Sequence, residues 1–194
     1  MRWARDATRS DEALLTDFAA GDARAAEALT RRLTPRVLAH AMRLLGDRAE
    51  AEDVAQEALL RLWRAAPDWE AGVAAPSTWL YRVTANLAID RIRRRRPIAP
   101  EDAASEVPDG APGAETRLTD AARADALQAA LARLPVRQRQ AVVLRHLEGL
   151  PNPEIAAIMD IGVEAVESLV ARGKRALAAD LSPRRGALGY GGEG

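Results

Sequence analysis

Between residues 47 and 66, Val54, Ala55, Ala58, Leu59, Leu62 and Trp63 return at intervals of three and four. That is the period of an α-helix with one buried face. The same period organises the rest of the first half. "SDEALLTDFAAGD" opens on a Ser/Asp cap signal and stops at Gly21, and a second helix starts near Asp22. Pro35 suits the first turn of a third helix, which ends at Gly46. Asp47, with Glu50 three positions on, has the form of a capping box and opens the 47–66 helix. "APDWEAGVAAP" interrupts the pattern. A long helix over about 77–95 follows, with Leu80, Val83 and Leu87 placed to face a core.

The second half repeats the periodicity with different punctuation. A helix is expected over about 115–133, and Pro135 begins the next, "PVRQRQAVVLRHLEG". Asn152-Pro153 reads as an N-cap followed by proline at the first helical position. The turn "DIG" then leads into a helix over 163–180, and two helices joined this tightly form a helix-turn-helix. Ile155, Ile158, Ile161, Val166 and Leu169 are its expected packing residues. Between the halves, "RRPIAPEDAASEVPDGAPGAETR" holds Pro97, Pro100, Pro108 and Pro112 with Gly110, Gly113 and several acids. Such a stretch has too little apolar surface to build a core and reads as a linker. The expectation is an all-α chain of two small helical domains, at 1–96 and 118–182. A flexible acidic linker at 97–117 joins them, and a disordered tail occupies 183–194.

Composition narrows the class. The 194 residues are 48% hydrophobic but only 4% aromatic, a mix suited to packed helices. With no cysteine, a disulfide framework, a thiol nucleophile and a Cys-based zinc site are excluded. There is no apolar run of membrane-spanning length, and the N-terminus lacks a signal-peptide core, so a cytoplasmic protein is expected. The net charge of zero conceals a partition. Residues 36–96 carry 11 basic and 8 acidic side chains, residues 127–185 carry 9 and 6, and residues 97–126 carry 2 and 7. Two basic blocks flank an acidic strip, and that distribution bears on nucleic-acid binding where net charge does not.

Three faces carry candidate chemistry. On the 47–66 helix, Asp53, Gln56, Glu57, Leu60, Arg61 and Arg64 line one side. A solvated face with a Glu57–Arg61 ion pair would account for most of it. Leu60, an apolar residue within the polar stripe, suits a helix-docking surface with a charged rim instead. On the 77–95 helix, Trp79, Arg82, Asn86 and Arg93 share a stripe, with Tyr81 beside it and Arg91, Arg93, Arg94, Arg95 and Arg96 at its end. Arginines complement a helix C-terminus, but five in six positions exceed that need. Aromatic rings beside cations suit single-stranded nucleic acid, where bases stack and arginines hold phosphates. In the helix-turn-helix, Arg172, Lys174 and Arg175, with Arg137 and Arg139 one helix earlier, are placed to grip backbone phosphates. No nucleophile elbow or glycine-rich phosphate loop is present. His40 and His146 read as packing or surface residues without a ligand cluster, so neither an enzyme nor a metal or cofactor site is expected.

Taken together, the motifs resemble a bacterial sigma factor of the extracytoplasmic-function type. "GDRAEAEDVAQEALLRLWRA" and "STWLYRVTANLAIDRIRRRR" are similar to that family's second region. "LARLPVRQRQAVVLRHLEGLPNPEIAAIMDIGVEAVESLVARGKRAL" is similar to its fourth. The resemblance implies that Asp53, Gln56, Glu57 and Leu60 dock on the clamp helices of the core RNA polymerase largest subunit. It implies that the 68–78 break captures a flipped base of the promoter −10 element. Ser77, Thr78, Trp79, Tyr81, Arg82, Asn86, Asp90 and Arg91, with Arg93–Arg96, would then meet the melting DNA. The fourth region would dock on the polymerase flap and read the −35 element through Glu164, Ala165, Glu167 and Ser168, supported by Arg137, Arg139, Arg172, Lys174 and Arg175. The acidic linker would follow the path of nascent RNA, and an anti-sigma factor would be a further partner.

The chain departs from the family pattern around the recognition helix. Asp160 and Gly162 stand where a glycine turn and a proline are usual, and Glu167 and Leu169 where Lys and Arg are frequent. Acids in a first helical turn favour the helix dipole by about 0.3–1 kcal/mol each, and Glu can accept from a cytosine amino group. Two other readings compete with an initiation factor. A decoy that sequesters an anti-sigma factor would explain Glu164, Glu167 and Leu169 but not the arginine run. An ordinary helix-turn-helix repressor would leave the Asp53–Leu60 stripe and the linker unexplained.

Overall fold

The protein is described from a computed structural model, which covers residues 9–72, 74–95 and 117–184. Arg96, the linker over 97–116 and the tail from 185 onward lie outside the described residues. Every regular element among the described residues is helical. The chain divides after Arg95 into two compact units.

The first unit contains α1 (Asp11–Ala19), α2 (Ala23–Leu45), α3 (Arg48–Ala65), a short 3-10 turn (Ala66–Asp68) and α4 (Pro76–Arg95). Ser10 caps α1, its hydroxyl accepting from Ala13 N–H, and Asp22 caps α2 by accepting from Arg24 N–H. Pro35, expected to open a third helix, instead lies inside α2, so that one helix of 23 residues runs through it. An interior proline costs a helix about 3 kcal/mol. Leu29, Leu33, Val37, Ala41 and Leu44 form an uninterrupted buried stripe on both sides of it. At about 1.5–3 kcal/mol for each large apolar side chain, that stripe outweighs the proline. The helix stops at Gly46, which takes the left-handed conformation at φ 72°.

The expected capping box at α3 forms by half. Asp47 accepts from Glu50 N–H at 2.9 Å, but the Glu50 carboxylate turns away to Arg95 on α4. The buried stripe of α3 is otherwise as its period suggests. Val54, Ala55, Ala58, Leu59 and Leu62 are buried and Trp63 is partly so, with its ring 4.9 Å from that of Phe18 on α1. Two clusters form the core of this unit. One joins α1, α2 and α3 around Leu14, Leu15, Leu29, Leu33 and Leu62, with Leu80 from α4. The other joins α2, α3 and α4 around Leu44, Leu45, Val54, Ala85 and Ala88.

The second unit contains α5 (Arg117–Arg133), α6 (Val136–Val142) running on as a π-helical turn (Val143–Leu147), α7 (Asn152–Met159) and α8 (Val163–Leu181). In the π-turn, Glu148 N–H reaches Val143 O at 3.0 Å, five residues back. Leu131, Leu134, Val142 and Val143 make the core, joined by Leu127, Leu147 and Leu177. Ile155, Ile158 and Val166 of the helix-turn-helix are buried, while Ile161 and Leu169 are half-buried. Asn152 is not the expected cap: it is the first residue of α7, and no side-chain hydrogen bond caps that helix. Asp160 ends α7 in the left-handed conformation at φ 52°, which Asp tolerates better than most residues other than glycine.

Arg139 also departs from expectation. Rather than facing a phosphate, it is only 7% exposed. Its guanidinium Nη2 donates to Ala132 O at 2.5 Å and Leu134 O at 3.3 Å. The first carbonyl lies in the last turn of α5 and the second just beyond it, where no following helical N–H is available to pair them. Replacing Arg139 with Met should therefore lower the stability of the second unit by about 1.5–3 kcal/mol, the usual worth of hydrogen bonds from a charged donor. Urea denaturation would measure the shift. At Gly173 α8 comes close to α6: a Cβ there would sit 2.5 Å from Val142 Cγ2 and 3.3 Å from Gln138 O. Gly→Ala within a helix ordinarily stabilises by about 0.5–1 kcal/mol, but overpacking costs about 1–3 kcal/mol. Gly173→Ala is predicted to be net destabilising by about 1–2 kcal/mol, with Gly173→Val worse, in the same denaturation series.

Candidate functional site

Burying one side of α3 leaves Gln56, Leu60 and Arg61 exposed, with Glu57 half-exposed, on the opposite side. Leu60 is 41% exposed, one of two large hydrophobic side chains so placed among the described residues. Glu57 accepts from Arg61 Nε at 2.8 Å, and this hydrogen bond above all holds the Glu57 carboxyl below its ordinary pKa, opposed by desolvation and aided by the charges of Arg61 and Arg64. The i,i+4 pair read from the sequence is therefore present, but it does not cover Leu60.

Asp53, Gln56, Glu57, Leu60 and Arg61 of α3 form one wall of a groove. Its other wall is α4, through Asn86, Leu87, Asp90, Arg91 and Arg94. Ion pairs cross between the helices. Arg91 Nη1 lies 3.2 Å from Asp53 Oδ2, and Arg95 grips Glu50 through both Nε, at 2.8 Å, and Nη2. Sequence reasoning missed Glu50 in this role, because 45 positions separate it from Arg95 and its capping position already explained it. Arg91 and Arg95 of the arginine run are thus paired with acids of α3. Arg82, Asn86, Asp90, Arg93 and Arg94 are exposed along α4 at helical spacing.

The aromatic residues of α4 separate. Tyr81, expected beside the exposed stripe, is 7% exposed, with its ring 5.0 Å from the fully buried His40 of α2. The reason is register: Tyr81 shares a face with Thr84, Ala85 and Ala88, all buried. Trp79 is half-buried and meets Trp69 edge-on at 5.9 Å. Ser77 and Thr78 are partly buried at the start of the helix. The break before α4 is tied back to α1, since Gly72 N–H donates to Glu12 Oε1 at 2.5 Å. That link joins residues 60 positions apart and carries no sequence signal.

In the second unit, Val163, Glu164, Ala165, Glu167 and Ser168 are exposed on the first turns of α8, and Arg172, Lys174 and Arg175 follow. Arg137 is exposed on α6, unlike Arg139. Arg172 Nε turns back to Ser168 O at 3.3 Å. Asn152 of α7 reaches across to Glu167, Nδ2 to Oε1 at 3.4 Å. His146 is exposed, and no cluster of three or more potential metal ligands occurs among the described residues. No described helix is long and apolar enough to cross a membrane.

Comparison with known proteins places both units. Residues 29–98 match the model of Sigma-70 region 2, and residues 124–177 match that of Sigma-70 region 4. The chain is 36% identical over 173 residues to the ECF RNA polymerase sigma factor SigM of Mycobacterium tuberculosis, covering 88% of this chain and 84% of the relative. It is 38% identical over 153 residues to the ECF RNA polymerase sigma factor SigE of Mycolicibacterium smegmatis, where the match covers 77% of this chain but 58% of that longer protein. Among solved structures it is similar to CnrH in complex with the cytosolic domain of CnrY, with a TM-score of 0.65 and 27% identity over 90% of this chain and 99% of that one. An all-helical chain carrying both regions in this order, at this level of identity, belongs to the extracytoplasmic-function sigma factors, the alternative sigma factors that direct transcription initiation.

Proposed function

We propose that this sigma factor docks on the clamp helices of the RNA polymerase largest subunit through Asp53, Gln56, Glu57 and Leu60. It then uses α4 to hold the melting −10 element and α8 to enter the −35 element. The observation that supports this reading is the shared groove. The α3 residues suited to a partner helix face the same opening as Asn86, Asp90, Arg91 and Arg94 of α4. A helix laid against Leu60 would bury an otherwise exposed apolar side chain and compete for Asp53, the partner of Arg91. Docking and DNA engagement would then share one set of charges.

For the −10 element, the working residues are Arg82, Asn86, Asp90, Arg93 and Arg94, with Ser77, Thr78 and Trp79 beside the 69–75 loop. Arg91 and Arg95 join them once their carboxylate partners are displaced. Arg96 belongs to the same proposal on its sequence position. Tyr81 and Arg139 are left out because burial removes them from a DNA surface. Arg137, Arg172, Lys174 and Arg175 supply the phosphate contacts at the −35 element. We assign an anti-sigma factor as a further partner, in keeping with the solved relative bound to the cytosolic domain of CnrY. A pure decoy role is disfavoured by the exposed Arg82, Arg93 and Arg94, which sequestration would not need.

The decisive experiment mixes the protein with core polymerase and fragmented genomic DNA of its own organism and sequences the transcripts. Discrete start sites with a common upstream element are expected, and polymerase binding without specific starts would count against promoter recognition. Leu60→Arg should weaken polymerase binding at least about tenfold, as for an interface anchor, with an unchanged thermal melt. Wild-type affinity in the folded variant would remove Leu60 from the docking face. Asp53→Arg is the less clean test, because it also places a cation against Arg91. Replacing Arg93 and Arg94 together with Ala should flatten the salt dependence of DNA binding by the holoenzyme, by about 0.9 in log–log slope per lost phosphate contact on duplex.

A further inference from the structure

The first two turns of α8 present carboxylates to a polyanion. Val163, Glu164, Ala165, Glu167 and Ser168 are exposed and none is cationic. The nearest cation on the helix, Arg172, is turned back onto Ser168 O. Such a surface gains nothing from phosphate attraction, so what its side chains can accept or donate at base edges decides its use.

Glu167 differs from Glu164 in being held. Asn152 donates Nδ2 to its Oε1 at 3.4 Å across the helix-turn-helix. The Asn152 amide has little freedom to change this. Its Oδ1 is buried without a hydrogen-bond partner, and reversing the amide would set that oxygen against the carboxylate. One oxygen of Glu167 is therefore engaged by the supporting helix, leaving the other for an incoming donor.

We propose that Glu167 is a specificity-determining residue that selects a cytosine in the −35 element, with Asn152 as its positioning residue. This rests on the reading of α8 as the −35 helix. A carboxylate only accepts hydrogen bonds. Guanine offers acceptors O6 and N7 in the major groove, and thymine offers acceptor O4 and a methyl group. Adenine pairs its N6 donor with the N7 acceptor, which a carboxylate faces with repulsion, whereas cytosine presents the N4 amino group. Selection thus combines one attractive base with three that leave the carboxylate charge opposed. Holding Glu167 in place beforehand removes part of the ordering cost that a free side chain would bear on binding.

The test is in vitro transcription by the polymerase holoenzyme from a library randomised across the −35 element, sequenced for the wild type, Glu167→Gln and Asn152→Ala. The wild type should favour cytosine at one position by about tenfold. Glu167→Gln is isosteric and exposed, so it should fold as the wild type does. Its preference at that same position should move toward adenine, whose N6 and N7 a glutamine amide can pair together. Asn152→Ala should keep cytosine as the favoured base with a preference reduced several-fold. Specific transcripts with unchanged base preference in Glu167→Gln would overturn this assignment alone. A uniform loss of output across all promoters would do the same, since it would mark the Asn152–Glu167 contact as purely structural. Absence of promoter-specific transcripts from the wild-type holoenzyme would overturn the −35 reading itself and this assignment with it.

Discussion

Ala51, Val54, Ala55, Ala58, Leu59 and Leu62 bury one side of α3 against α2 and α4, and this burial dictates what the opposite side can present. Alanine at three of these positions lets the neighbouring helices approach closely, so that α4 lies near enough for Arg91 and Arg95 to reach Asp53 and Glu50. The outward residues of α3 then have no freedom to choose another neighbour. Leu60 stays uncovered because it lies on the opposite side of the helix from that buried stripe.

Charge within the first unit is arranged in layers. Acids on α3 pair with Arg91 and Arg95 of α4, and Arg82, Arg93 and Arg94 are exposed on the same helix. Partly exposed pairs of this type contribute little to stability, about 0–1 kcal/mol. Their effect is on position: they fix Arg91 and Arg95 against the acids of α3. The second unit adopts a different division. It buries Arg139 at the end of α5, and on α8 the acids Glu164 and Glu167 precede the cations Arg172, Lys174 and Arg175.

Much of this was legible in the sequence where one helix face contrasts with the other. The stripe of α3 follows directly from period, and Leu60 was conspicuous because it broke a polar run. Contrast fails in α4, which is buried over a broad arc by α2, α3 and the Leu80 cluster, so Tyr81 could not be assigned to core or surface by spacing alone. Pro35 misled because its local penalty is readable while the stripe that overrides it is distributed over many residues. Arg139 misled because the carbonyls that capture it belong to the previous helix. The Glu12–Gly72 and Asn152–Glu167 contacts are products of tertiary folding, and neither spacing nor residue type signals them.

The close approach at Gly173 also sets a lever. Val163, at the start of α8, lies ten residues away, about 15 Å along the axis at 1.5 Å per residue. Because a Cβ at 173 would collide with Val142 Cγ2 and crowd Gln138 O, any side chain there would act as a fulcrum for α8. A tilt of about 5° there would carry the reading end sideways by about 1.3 Å over that arm, comparable to the tolerance of a base-edge hydrogen bond. On the proposed role of α8 at the −35 element, promoter preference would then depend on a buried glycine as well as on the exposed carboxylates of the first turns.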